Sequence, residues 1–151
     1  MSLESERVPV LRALACWAAC DLEGTLAQFS EDVLYLINVD GIAVPFAASS
    51  LGKEDLRHRL ELVLDMFDKE IFECESFLHA PDHTRVVVYA QYKHKSLGER
   101  LCARIRLRYW VKGGLIVRVE ENRDAQYVEA FQRFILQMEH DARGAERGLR
   151  A

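Results

Sequence analysis

Residues 84–123 alternate apolar and polar side chains over three consecutive stretches separated by two short glycine-bearing turns, and this alternation constrains the chain more than any other feature. Successive side chains of a strand point to opposite faces, so turn length decides which faces coincide and a one-residue slip inverts them. A two-residue turn at Leu97 and Gly98 pairs Ala90 with Ile105, Val88 with Leu107 and Val86 with Tyr109, and sets Tyr92 beside Ala103 and His94 beside Leu101. One face is then apolar. The other carries Tyr89, Gln91 and Lys93 beside Arg104, Arg106 and Arg108. A three-residue loop over residues 112–114, with a glycine free to take positive φ, sets Val117 opposite Tyr109, Val119 opposite Leu107 and Glu121 opposite Ile105. The same reasoning at residues 81–83 puts Phe72, Cys74, Ser76 and Leu78 on the inner face and Arg106 opposite Glu120 on the outer one, a pairing that opposite charges favour.

An acid thus ends the apolar face. Glu121 falls in a row with Ile105, Ala90 and Cys74, whose small side chains leave room in a curved sheet. Apolar surroundings disfavour the charged form of a carboxylate, the condition under which an acid exchanges protons usefully near neutral pH. Glu121 is the candidate general base; the competing reading is a carboxylate that leans to solvent or pairs with an arginine. Tyr35, Tyr92 and Tyr109 are phenols able to donate to a substrate carbonyl or enolate, and Tyr92, one row from Glu121, is the first choice among them. His94 is expected at the pocket rim. Trp17 and Phe46 are expected to wall the pocket, as well as being ordinary core candidates.

The remainder of the chain supplies helices to cover this sheet. Apolar residues recur at helical spacing over 8–20, with Pro9 in the first turn, where its missing N–H costs little. Asp21 can cap a short second helix reaching about Phe29. Val33, Tyr35, Ile37 and Val39 alternate with Leu34 and Leu36 in a strand covered on both faces, which Asp40 and Gly41 end in a turn. Residues 42–52 read as a loop or short edge strand because of Pro45 and the serines and glycine. Over 53–67, Leu56, Leu60, Val63, Leu64 and Phe67 form one stripe, leaving Arg57, Arg59, Glu61, Asp65 and Asp68 for water. Strands follow at about 69–80, 84–95, 100–111 and 115–123, then a helix over 125–139 and a frayed polar tail over 141–151.

At 151 residues the chain is expected to form a single domain, 1–151. Its formal net charge of -4 argues against a nucleic-acid or anionic-membrane surface. Neither a membrane-length apolar run nor a signal-peptide layout occurs, so a cytoplasmic location is the default. Cys16, Cys20, Cys74 and Cys102 are expected as thiols; the first two share a helix face without forming a metal pattern. The histidines are scattered, and nucleophile, phosphate-loop and dinucleotide motifs are lacking, so no metal and no cofactor are expected.

The order of helices, strand, helix, four-stranded meander and closing helix resembles the nuclear transport factor 2-like superfamily. DLEGTLAQFSEDVLYLI resembles its segment of aspartate, short helix, acidic pair and strand; PFAASSLGKEDLRHRL resembles the segment leading into the third helix of the SnoaL-like, ketosteroid-isomerase-related branch; GGLIVRVEENRDAQYVEAF is similar to that branch's ending. The resemblance covers residues 5–136. It implies an α+β cone: a curved antiparallel sheet with N-terminal helices, one inserted helix and a C-terminal helix closing over an apolar pocket, in a homodimer packed through sheet surfaces. It also implies a class containing cyclases, isomerases, epoxide hydrolases, dehydratases and non-enzymatic domains. The isomerase's catalytic aspartate would fall where this chain has Ile37 and Asn38, with Asp40 displaced beyond, and the arginine–aspartate pair of limonene epoxide hydrolase is absent around Ile105. The last-strand acid at Glu121 is the functional position that transfers.

Two functional expectations follow from these residues together. One is a cofactor-independent acid–base enzyme of isomerase, cyclase, dehydratase or hydrolase type, acting on a small apolar carbonyl, polyketide-like or terpenoid-like compound. The other is a non-catalytic ligand-binding or dimeric assembly domain. The arginine-bearing outer face, with Tyr89, Arg104, Arg106, Arg108 and Trp110, is the expected homodimer surface, since Arg and aromatic residues are enriched at interfaces.

Overall fold

The computed structural model describes residues 3–38, 49–122 and 143–144. Helix α1 spans Leu3–Ala18 and α2 spans Leu22–Leu26, followed by strand β1 over Phe29–Asn38 and the two-residue β2 at Ser50–Leu51. Helix α3 covers Lys53–Met66, and β3 Phe67–His79, β4 Thr84–His94, β5 Arg100–Lys112 and β6 Leu115–Asn122 complete the described elements. The sheet runs in the order β2-β1-β6-β5-β4-β3, curved, with α1 and α3 packed on one side of it. The architecture is α+β, as expected. The expected closing helix over 125–139, the turn at Asp40 and Gly41, Phe46 and most of the tail lie outside the described residues.

Local chemistry explains the ends of the helices. The Asp21 carboxylate accepts from the Gly24 amide at 2.9 Å and so caps α2, satisfying one of the amides a helix start leaves without a partner. Helix α1 begins earlier than its apolar periodicity predicts, which places Pro9 inside the helix and not in its first turn. The missing N–H removes one rung of the ladder. Pro9, Val10, Ala13 and Leu14 are buried beneath α1.

The sheet is mixed. Strands β3 to β6 form the expected antiparallel meander, but β1 lies parallel to β6, with Tyr35 beside Val119 and Ile37 beside Glu121. No short turn links these two strands, so hairpin geometry does not dictate their relative direction.

The turns differ from expectation in an informative way. Between β4 and β5 the His94 amide donates to the Glu99 carbonyl at 2.8 Å and closes a loop of four residues, 95–98, and the pairing shifts by two: Ala90 faces Ala103, Val88 faces Ile105 and Val86 faces Leu107. An even shift preserves the faces. The buried hydrophobic set along β4 and β5 therefore remains Val86, Val88, Ala90, Tyr92, Leu101, Ile105, Leu107 and Tyr109. At the next turn the loop is two residues long, with Gly113 and Gly114 both left-handed (φ 60° and 79°), as a type I′ hairpin requires. That turn alone would put Arg118 on the apolar side. A bulge at Val117 restores the parity, because Val111 pairs with Ile116 and Trp110 with Arg118. Val119 then faces Tyr109, Glu121 faces Leu107 and not Ile105, and Arg108 rather than Arg106 stands opposite Glu120.

Strand β3 carries two more irregularities. A four-residue loop, 80–83, turns Phe77 toward Val86 and leaves Leu78 60% exposed, correcting the inward placement of Leu78 and Ser76. An extra residue at Glu75 brings Cys74 opposite Val88 and Phe72 opposite Ala90, and a second at Glu70 brings Lys69 opposite Tyr92 and Phe67 opposite His94. Bulges bend a strand and increase its twist, and these supply the curvature of the sheet.

His94 is no rim residue. It is 2% exposed, stands edge-on to Phe67 with ring centroids 5.2 Å apart, and its Nδ1 accepts from the amides of Ser96 and Leu97 at 3.2 and 3.0 Å. The imidazole holds the β4–β5 loop closed in its neutral form, and burial lowers its pKa, against a smaller opposing effect of Glu99. A depressed folded value means the unfolded chain binds the proton more readily. The contribution is therefore present above the ordinary histidine value of about 6.5 and is lost as pH falls through the lower folded value. Replacing His94 with Ala should cost about 1–3 kcal/mol at pH 7, and in denaturant titrations across pH it should flatten the stability loss on mild acidification.

Candidate functional site

Curvature opens a cavity of about 90 Å³ between the concave side of the sheet and helices α1 and α3. Its walls are mostly apolar: Leu14 and Trp17 from α1, Leu56, Leu60 and Val63 from α3, and Phe72, Ile105 and Leu107 from the sheet. Thr25, Tyr35, Ser50, Arg59, Tyr92, Tyr109 and Glu121 are the lining residues that carry polar side-chain groups beyond the indole of Trp17. Apolar walls with a few placed polar groups are the usual composition of small-molecule sites.

Glu121 is 5% exposed and lines this cavity. The bulge at Val117 determines that, since without it the carboxylate would point to the opposite face. The hydroxyl of Tyr35 donates to Glu121 Oε1 at 2.8 Å, across the parallel seam between β1 and β6. Tyr109 is buried on the same wall, and its phenol is pushed far above the usual tyrosine range by burial, then by the neighbouring Glu121 and Cys74. A phenol in that state is a neutral donor. The site therefore combines a buried acceptor with phenolic donors, as acid–base chemistry at a carbonyl requires.

Tyr92, the expected first partner, lines the same cavity at another point, where its hydroxyl accepts from Trp17 Nε1 at 3.2 Å. Tyr35 takes the role instead, because β1 reaches β6 directly and a four-residue β4–β5 loop moves Tyr92 opposite Leu101, away from Glu121's row. Among the expected lining residues, Trp17, Tyr35, Phe72, Tyr92, Ile105, Leu107, Tyr109 and Glu121 surround the cavity. Ala90 and Val119 are buried in the sheet without bordering it, and Ala103, half-buried, faces Ala90. Cys74 is exposed, Val117 sits at the bulge, and His94 is committed to its loop.

Two lining residues, Arg59 and Ser50, and one neighbour of the lining, Lys69, were hidden from sequence reasoning. Arg59, assigned to water by the helical stripe, borders the cavity from α3 and lies 3.9 Å from Asp55. Ser50 is buried on the two-residue β2. Lys69 is turned inward by the bulge at Glu70. Arg59 stands one turn from Leu56 and Val63, so a wider stripe would have included it; the other two have no signal in an alternation pattern.

No metal-binding cluster of histidine, cysteine or acidic residues occurs among the described residues, and none of their helices is long and apolar enough to cross a membrane. No protein-family model and no curated relative matches the sequence. Solved structures do. A nuclear transport factor 2-like (NTF2-like) protein of unknown function from Burkholderia pseudomallei is 16% identical, superposes with a TM-score of 0.72 and is covered over 97% of its length by 87% of this chain. One from Burkholderia xenovorans is 21% identical, also at 0.72, over 86% of this chain and 97% of that one. A protein with a ketosteroid isomerase-like fold from Catenulispora acidiphila, in complex with trimethylamine, is 15% identical at 0.67, over 81% and 89%.

This chain has the NTF2-like fold. Within that fold its cavity lies between the curved sheet and the helices, and the Tyr35–Glu121 bond sits on the sheet side. Replacing Tyr35 with Phe removes the donor and leaves a buried carboxylate with one partner fewer, a change expected to cost about 1–3 kcal/mol. Chemical denaturation at pH 7 measures it. A Tyr35→Phe variant as stable as the parent would show that the bond contributes nothing to the folded state.

Proposed function

We propose that this NTF2-like chain is a small-molecule pocket protein and a cofactor-independent acid–base enzyme, of isomerase, cyclase, dehydratase or hydrolase type, on a small apolar carbonyl, polyketide-like or terpenoid-like compound. The observation that carries the reading is the buried Glu121 carboxylate on the wall of an apolar cavity, 2.8 Å from the Tyr35 hydroxyl and beside the neutral phenol of Tyr109. In this scheme Glu121 accepts a proton from the carbon next to the carbonyl, and a phenol donates to the carbonyl oxygen as negative charge develops there. Tyr35 holds the carboxylate's orientation. Apolar walls strengthen both interactions by excluding water.

Fold alone does not distinguish this from binding without chemistry. A closed cavity filled by side chains such as Phe67 and Phe72 would favour a non-catalytic ligand-binding or assembly domain. Phe67 is buried outside the lining and Phe72 forms part of the wall, and the cavity still reaches both Glu121 and Tyr92. That opening supports the catalytic reading. One neighbour of this fold is a computationally designed 17-OHP binder, 20% identical with a TM-score of 0.68, and another, from Mesorhizobium loti, is assigned as a SnoaL-like polyketide cyclase at 20% and 0.64.

The deciding experiment begins with a screen of metabolites for binding, followed by turnover of the compounds that bind. Glu121→Gln keeps the shape of the side chain and an oxygen for Tyr35 but cannot accept the proton. It should bind the compound within a few-fold of the parent and lose turnover by roughly two to four orders of magnitude. Unchanged turnover would remove Glu121 from the chemistry, and binders without turnover in the parent would favour the non-catalytic reading.

The same proposal includes a homodimer through the outer sheet face and a cytoplasmic setting. Tyr89 lies beneath the Arg104 guanidinium at 5.8 Å, and Trp110 is flanked by Arg118 at 5.4 Å and His83 at 5.5 Å, leaving aromatic area that association would cover. Light scattering should give a dimer mass that falls toward the monomer when Trp110 is replaced by Ala and Arg106 by Glu together. A parent protein that stays monomeric at all concentrations rejects this surface.

A further inference from the structure

Lys69 is the least expected side chain on the inner face. The bulge at Glu70 turns it opposite Tyr92, among residues that also wall the cavity. Its Nζ sits 3.8 Å from the centroid of the Trp17 ring and 5.6 Å from that of Phe72, donates to the Trp17 carbonyl oxygen, and lies 3.7 Å from Cys20 Sγ. A surface lysine in this sheet would be expected to find one of its many acids. Among the described residues, none lies within ion-pair distance of Lys69; its partners are ring faces, a carbonyl and a thiol.

Such partners hold an ammonium loosely. Ring faces and a carbonyl oxygen attract the cation without the full opposing charge that would lock the proton in place. The titratable groups around it are the Cys20 thiol, in the turn after α1, and the Tyr92 phenol across the sheet. Tyr92 already accepts from Trp17 Nε1. Burial pulls the lysine down to about 8, with Cys20 opposing. A desolvated lysine beside an apolar site is the established way to make an amine nucleophilic.

We propose that Lys69 is a second reactive centre, an amine that condenses with a small aldehyde or ketone, preferably aromatic, seated in the cavity against Trp17 and Phe72. The neutral Nζ lone pair attacks the carbonyl carbon, forming the C–N bond as the C=O π bond opens, and one of the two nitrogen protons passes to the oxygen. The resulting carbinolamine loses its hydroxyl as water together with the nitrogen proton, leaving an imine. No electrons leave or enter in this sequence. The two rings suit a flat, apolar carbonyl compound, and both line the cavity that Glu121 also lines.

Benzaldehyde with cyanoborohydride tests this on the intact protein, because reduction fixes any imine as a benzyl group that peptide mass spectrometry can locate. At pH 8 an amine with a pKa near 8 has on the order of 100-fold more neutral form than an ordinary lysine at about 10.4. Allowing for its weaker nucleophilicity and narrower access, Lys69 is expected to label about tenfold or more faster than Lys53, Lys93, Lys95 and Lys112. Lys69→Arg should abolish that fast adduct, and Cys20→Ser should retain it. Should the arginine variant fail to fold, the parent's pH profile still decides: the rate at Lys69 should reach half its maximum near pH 8. Labelling of Lys69 no faster than of the other lysines, a rate that follows the ordinary lysine range, or loss of the adduct in Cys20→Ser overturns the proposal.

Discussion

Parity along the strands is the constraint on which the rest of this structure depends. In the meander each functional side chain owes its direction to the parity set by the turn and by any bulge between that turn and itself. The type I′ turn at Gly113 and Gly114 would by itself send Glu121 to the outer face; one extra residue at Val117 returns it to the cavity. In β3 the extra residues at Glu75 and Glu70 do the same for Phe72 and Lys69. The bulges thus bend the sheet enough to leave a cavity and choose which side chains enter it.

The bulged acids have an outer role as well. Glu70 accepts from Arg100 at 2.8 Å and from Gln91 at 2.9 Å, and Glu75 accepts from Arg104 at 3.0 Å. Both residues that disrupt the ladder therefore tie β3 to the arginine row of β5 across β4. Each such exposed pair contributes at most about 1 kcal/mol. Their value is directional, since a carboxylate that finds an arginine on the convex side favours the register in which its neighbours face inward.

Much of this was legible in the sequence, and what escaped has a common physical origin. Alternation in β4 and β5 marked the buried face correctly because the misjudged loop there was wrong by an even number of residues. The acid at the end of β6 was identified, yet for a reason that needed two compensating details, a shorter turn and a bulge. A bulge has no composition signature when the inserted residue is an ordinary valine or glutamate. Long-range pairing is equally invisible: nothing in Phe29–Asn38 announces a parallel neighbour in Leu115–Asn122, so Tyr35 was left among three candidate tyrosines. Arg59 was placed by periodicity on a wet face that the curved sheet brings toward the cavity.

The parallel seam has a consequence for the order of events during folding. Tyr35 and Glu121 are 86 residues apart, and their hydrogen bond requires β1 to dock alongside β6 after the intervening helix and hairpins have found their places. Hairpins close from local contacts, whereas this pairing must first overcome the entropy of joining distant segments. The meander can form early with its acid still in water. The first strand supplies the carboxylate's phenol, so the Tyr35–Glu121 pair depends on a long-range step of assembly and not on a local hairpin.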